Sequence, residues 1–145
     1  MQWFKGDLRI TDQFDELDFD FIRKELCPEN RWYSNYSQER LQACFKQSLT
    51  FSLFHGDKQI GFGRVITDYI LVGYIADILI SPEYRSRGLG KWLVQTITAH
   101  PKFVDLRRFI LSTKSSNKLY KQANFKVLGE PEKHMELKHI NFFEV

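Results

Sequence analysis

YIADILISPEYRSRGLGKWLVQTITA, residues Tyr74 to Ala99, divides into a strand, a tight loop with two closely spaced glycines, and an amphipathic helix. Tyr74 to Ile80 is mostly apolar and rich in β-branched and aromatic side chains, which predicts a mostly buried strand. Ser81-Pro82 ends it, because proline has no N–H to give to a ladder. Leu89, Trp92, Leu93, Thr96 and Ile97 then recur at helical spacing, with Lys91, Gln95 and Thr98 opposite.

The junction is where chemistry is expected. Arg85, Ser86, Arg87, Gly88, Leu89 and Gly90 sit where the strand hands over to the helix. Glycines there leave backbone N–H groups uncovered and let a ligand approach them closely. The first N–H groups of a helix have no partner inside it, and its dipole favours negative charge. Arg85, Arg87 and Lys91 add side-chain cations. The sum is an anion site suited to a pyrophosphate. A plain glycine turn ahead of a helix would show the same G-x-G, so the two glycines alone do not decide. Two known glycine loops do not fit. A P-loop needs a hydroxyl residue after its lysine, and Trp92 follows Lys91. A dinucleotide fingerprint needs a third glycine where Leu93 stands.

The run from Ile78 to Leu93, with its x-P-x-Y-R lead-in, R-x-x-G-x-G loop and following helix, resembles the central motif of the GNAT superfamily, the Gcn5-related N-acetyltransferases. The resemblance implies that the loop binds the pyrophosphate of acetyl-CoA. It also implies that backbone groups of Ile78, Leu79 and Ile80 hold the pantetheine arm and polarise the thioester carbonyl.

Length and composition bound the rest. A chain of 145 residues with 43% hydrophobic and 27% charged side chains predicts one soluble domain, residues 1–145, with a real core. No apolar run approaches a membrane span, and the N-terminus lacks the apolar centre of a signal peptide. Cys27 and Cys44 form no metal or redox motif, so buried thiols in a reducing cytoplasm are expected. The net charge of +3 is uneven. Residues 1–30 carry four basic and eight acidic side chains, whereas residues 84–126 carry ten basic and one acidic. A polyanion such as CoA would be drawn to the basic half, and so would nucleic acid.

Along the chain, Trp3 to Ile10 predicts a first strand and Asp15 to Leu26 a helix that ends at Cys27-Pro28. Glu29 to Tyr36 predicts an aromatic loop. Ser37 caps a second helix to about Gln47, with Leu41, Cys44 and Phe45 inward. Thr50 to His55 and Gln59 to Thr67 predict a hairpin, and Val72 to Ile80 follows as the next strand. Arg107 to Ser112 predicts a strand, Ser115 to Ala123 a short helix, and Phe125 to Leu128 with His134 to His139 a final strand pair. The unit from Tyr74 through the helix to Ser112 must be a parallel crossover. The expected fold is thus a mixed α+β, GNAT-like one: a mostly antiparallel sheet with one parallel β-α-β crossover and helices on both faces.

A second resemblance lies in Leu119-Tyr120-Lys121-Gln122-Ala123-Asn124-Phe125, which looks like the family's L-Y-x-x-x-G-F with Asn124 at the glycine. That position follows a helix and calls for a left-handed backbone, for which asparagine is the next choice after glycine. The family's cofactor-contacting asparagine, seven residues before the tyrosine, is Thr113 here, and Asn117 is out of register. The resemblance implies that Tyr120 protonates the departing CoA thiolate. A free thiol has a pKa near 8.5, so a nearby acid eases its departure. Tyr120 as an aromatic core residue is the competing reading. Asp77, the one ionisable side chain between Tyr74 and Ile80, either faces the cleft as a general base or anchors the fold. His55, His100, His134 and His139 have no partner spacing and read as surface or strand-edge residues.

The function expected is acetyl-CoA-dependent N-acetyl transfer to an amine by direct attack on the thioester, with no metal and no membrane partner. Trp32, Tyr33 and Tyr36 are candidates for lining the acceptor pocket, with Trp32 as a core plug the alternative. The rivals are a module of the same fold that binds CoA without transfer and, third, a nucleic-acid-binding domain, whose basic stretches lack interleaved aromatics. A homodimer is left open.

Overall fold

The computed structural model describes residues 1–26 and 36–138. The chain lays down strands β1 (Gln2–Lys5) and β2 (Leu8–Thr11), helices α1 (Phe19–Leu26) and α2 (Gln38–Lys46), and strands β3 (Leu49–His55), β4 (Lys58–Thr67) and β5 (Gly73–Ile80). Helix α3 (Leu89–Thr98), strand β6 (Phe109–Ile110) and helix α4 (Asn117–Gln122) complete the order. The strands form one sheet in the order β1-β2-β3-β4-β5-β6. Every neighbouring pair is antiparallel except β5 and β6, which are parallel across α3, as the crossover argument requires.

The two faces carry separate cores. Leu89, Leu93 and Ile97 of α3 pack with Phe51, Val65 and Ile75 on one face. Ile22 and Leu26 of α1 and Leu41 and Phe45 of α2 pack with Phe62 and Leu79 on the other. The β4–β5 pairing slips at the point where Arg64 faces Asp77 but Val65 faces Ile75, leaving Ala76 as an extra residue. Ile75 belongs to the α3 core and Leu79 to the α1–α2 core although both are odd positions of one strand. The bulge has therefore turned the strand's faces over.

Several sequence expectations are corrected. The first strand, Trp3 to Ile10, is a hairpin, because Gly6 takes a left-handed turn (φ 59°) that doubles the chain back. The helix expected from Asp15 starts at Phe19. Asp18 caps it, its Oδ1 accepting from the Phe21 N–H at 3.0 Å, while Glu16 bonds Arg9 and Thr11 instead. Ser37 does cap α2, accepting from the Arg40 N–H, but Cys44 is exposed rather than buried. The strand from Arg107 shrinks to Phe109–Ile110. Residues 125–128 and 134–138 form no strand and, among the described residues, pair with none. His100 is 3% exposed rather than a surface residue. Its Nδ1 accepts from the Lys102 N–H, so Nε2 carries the proton given to Asp12 at 2.9 Å. The stop at Cys27-Pro28, together with Trp32, Tyr33 and His139, lies outside the described residues.

Candidate active site

Strand β5 runs eight residues, yet β6 pairs with only the first two, Gly73 with Phe109 and Tyr74 with Ile110. Among the described residues the Ile75–Ile80 edge on that side has no strand beside it. The split opens into a groove of about 510 Å³ lined by Ile78, Leu79 and Ile80, by the loop through Lys91, and by Ser116, Lys118 and Leu119 of the α4 region. The backbone groups along that edge are polar donors and acceptors that an extended ligand can take up as a strand would.

At the end of β5 the chain turns through Pro82–Tyr84 and enters α3. Ser86 (φ 60°) and Gly88 (φ 76°) are both left-handed. Alternation of this kind gathers successive N–H groups into a concave anion site. Gly88 has open space where a Cβ would stand, so its place there answers to the backbone angle and the approach, not to packing. The first N–H bonded within the helix is that of Trp92, to the Gly88 carbonyl, which leaves the preceding N–H groups directed toward the groove's end. Arg85 Nε reaches back to the Ile80 carbonyl at 2.9 Å, tying loop to strand. Arg87 lies over the Tyr84 ring at 5.3 Å. Leu89 is buried in the α3 core, so it can offer only its backbone to the groove. The donor set fits a pyrophosphate followed by an extended amide-bearing arm.

Tyr120 projects from α4, whose end explains its placement. The Phe125 N–H bonds the Tyr120 carbonyl at 2.9 Å and the Asn124 N–H bonds the Lys121 carbonyl at 3.1 Å, around a left-handed Asn124 (φ 68°). This is a Schellman cap, and its hydrophobic contact is Phe125 packed edge-on against Tyr120, ring centroids 5.8 Å apart. The L-Y-x-x-x-N-F pattern thus orients the tyrosine by closing its helix. Burial, and after it the negative charge of Asp77, push the Tyr120 phenol up to about 12, so it holds its proton at neutral pH.

Asp77 is buried. Arg64 Nε donates to its Oδ2 at 2.6 Å, and Arg64 Nη1 also reaches Ser48 and Cys44 while the guanidinium lies over Phe45. Both side chains lie on the α1–α2 face, and Asp77's charge is felt at Tyr120 across the split. Arg64 escaped the sequence reading. Its signal was a cation in the apolar middle of one strand and a carboxylate in the next. Tyr36 packs against the α1–α2 core, with Arg40 over its ring, and does not line the groove. Thr113 accepts from the Ser116 N–H at 3.0 Å and steadies the turn into α4.

A second cavity, about 680 Å³, lies on the other side of α4. Among the described residues no group of three or more His, Cys, Asp or Glu side chains is arranged to hold a metal, and no helix is long and apolar enough to cross a membrane.

A family model described as the acetyltransferase (GNAT) family matches residues 16–125. A Gibberella zeae protein described as an acetyltransferase is 25% identical, over 81% of this chain and 78% of its own. A solved GNAT-family acetyltransferase of Xanthomonas campestris pv. campestris is 30% identical with a TM-score of 0.85, covering 95% of this chain and 97% of that one. A GNAT acetyltransferase of Elizabethkingia anophelis, solved with acetyl-CoA bound, shares the fold at 15% identity and a TM-score of 0.65, over 86% and 79% of the two chains.

Proposed function

This chain belongs to the GNAT acetyltransferase family, and from that premise we propose that it is an acetyl-CoA-dependent N-acetyltransferase acting by direct transfer. The observation that carries the reading is the edge of β5 that, among the described residues, has no strand beside it and runs into the left-handed loop at the start of α3. In this reading the N–H groups of the Gly88–Lys91 turn and the side chains of Arg85, Ser86, Arg87 and Lys91 hold the donor's pyrophosphate. Ile78, Leu79 and Ile80 hold the pantetheine through their backbone. The acetyl-CoA bound to the Elizabethkingia relative supports the same donor here.

The thioester then lies in the split, between Asp77 and Tyr120. A neutral amine attacks the carbonyl carbon, and its C–N bond forms as the C–S bond breaks. A β5 N–H steadies the oxyanion. Tyr120 gives its proton to the leaving sulfur, and the proton shed by the amine nitrogen passes to solvent and restores the phenol. A phenol at about 12 is a weaker acid than a thiol near 8.5. Tyr120 therefore acts first as a hydrogen-bond donor to the developing thiolate and completes transfer as the amine's proton is lost. Asp77, held by Arg64, serves here to keep Tyr120 protonated, rather than as the base.

Calorimetry with acetyl-CoA and a thiol-release assay over a panel of amines test the reading. Sub-millimolar binding with acceptor-dependent release of CoA is expected. Binding without release for any amine would leave a CoA-binding module, and no heat at all would remove the donor assignment.

A further inference from the structure

Helix α4 is the wall between the two cavities. Lys118, Leu119 and Gln122 line the donor groove, whereas Asn117, Tyr120 and Lys121 line the second pocket. Tyr120 thus stands at the boundary, and a nucleophile that approaches the thioester to within about 3–3.5 Å of the carbonyl must occupy space next to it. At about 680 Å³ the second pocket is of small-molecule size.

We propose that this pocket receives an acceptor amine with an apolar or aromatic body that carries a carboxylate. The inference rests on the acetyltransferase reading and names its substrate class. Tyr74, Phe109, Leu111 and Phe125 give the pocket an apolar lining, and Tyr74 is 37% exposed within it. Lys121, Lys126 and His134 stand at its polar positions against one acid, Glu136. That carboxylate already meets Lys138 Nζ at 3.6 Å. The charge of the lining is therefore basic, on the exposed Lys121 and Lys126, whereas the amine nitrogen must lie at the half-buried Tyr120. A molecule with an amine at one end and a carboxylate at the other matches that polarity. A polyamine would set its second cation against Lys121 and Lys126.

The test compares two amines with the same body, 4-(aminomethyl)benzoate and benzylamine, by CoA release at saturating acetyl-CoA, with acetyl-CoA affinity measured separately by calorimetry. KM for the carboxylate-bearing amine is expected to be about tenfold lower. Lys126→Glu should collapse the ratio of the two KM values, a readout that cancels any general loss of enzyme. A ratio near one, a preference for benzylamine, or no turnover of either by protein that binds acetyl-CoA would each overturn the proposal. So would faster turnover of octanoyl-CoA than acetyl-CoA, which would give the pocket to the acyl chain. No heat with acetyl-CoA would instead remove the reading on which the proposal rests.

Discussion

Arg64 Nε and Asp77 Oδ2 are 2.6 Å apart on directly paired positions of β4 and β5, and each side chain is only 5% exposed. Removing one partner of a buried ion pair costs about 3–5 kcal/mol. Arg64→Met should therefore lower stability by about that amount in urea denaturation, and Asp77→Leu added to it should recover much of the loss. Arg64→Lys should fold, because one ammonium can still meet Oδ2, but it cannot also reach Ser48 and Cys44 in a fixed plane. If Arg64→Met proved neutral, the pair would contribute nothing to stability.

Tyr120 supplies a pH prediction. Its phenol sits at about 12 in the folded protein against 10.0 for an ordinary tyrosine. Between those values the native state keeps a proton that the unfolded chain has lost, so stability falls as pH rises through that window. Tyr120→Phe should abolish that part of the alkaline slope. Asp77→Asn should lower the phenol's midpoint only part of the way, because burial is the larger cause. An ultraviolet titration of tyrosine ionisation measures both.

The same residue predicts a rate. Tyr120→Phe removes a hydroxyl and little volume, so kcat should drop about 10²-fold with acetyl-CoA affinity unchanged. The wild-type rate should climb with pH as the acceptor amine loses its proton, with no descending limb from Tyr120 below about pH 10. An unchanged kcat in the variant would reduce Tyr120 to a packing residue under the α4 cap.

Gly88 separates binding from folding. A Cβ there meets open space but a left-handed backbone, so Gly88→Ala should cost only about 1–2 kcal/mol. Gly88→Glu adds a negative side chain at the anion site and should erase the melting-temperature increase given by acetyl-CoA while the protein still unfolds cooperatively. A retained increase would place the pyrophosphate elsewhere.

Asn124 carries the cap that orients Tyr120. Asn124→Gly should be neutral or slightly stabilising, because glycine adopts its φ of 68° more easily. Asn124→Val should destabilise by at least about 1 kcal/mol and lower kcat as well, since the Phe125–Tyr120 contact depends on the turn. A loss of stability at full kcat would uncouple cap from catalysis.

Short-range patterns alone determined the glycine loop, the helix after it, the capping roles of Ser37 and Asn124, and the tight turn that joins β3 to β4. Each depends on side chains within a turn or two of one another. Helical spacing in Leu89 to Ile97 and the G-x-G of Gly88 and Gly90 would read the same in any context. The tertiary structure decided what depended on partners distant in sequence. The bulge at Ala76 sets Asp77 beside Arg64, thirteen positions away, and on the α1–α2 face. His100 looked like a surface residue until the sheet brought Asp12 to it across 88 positions. The predicted strands at 125–128 and from 134 had the composition of strands but, among the described residues, no neighbour. A strand's backbone hydrogen bonds belong to the pair, so its own residues cannot establish that it exists.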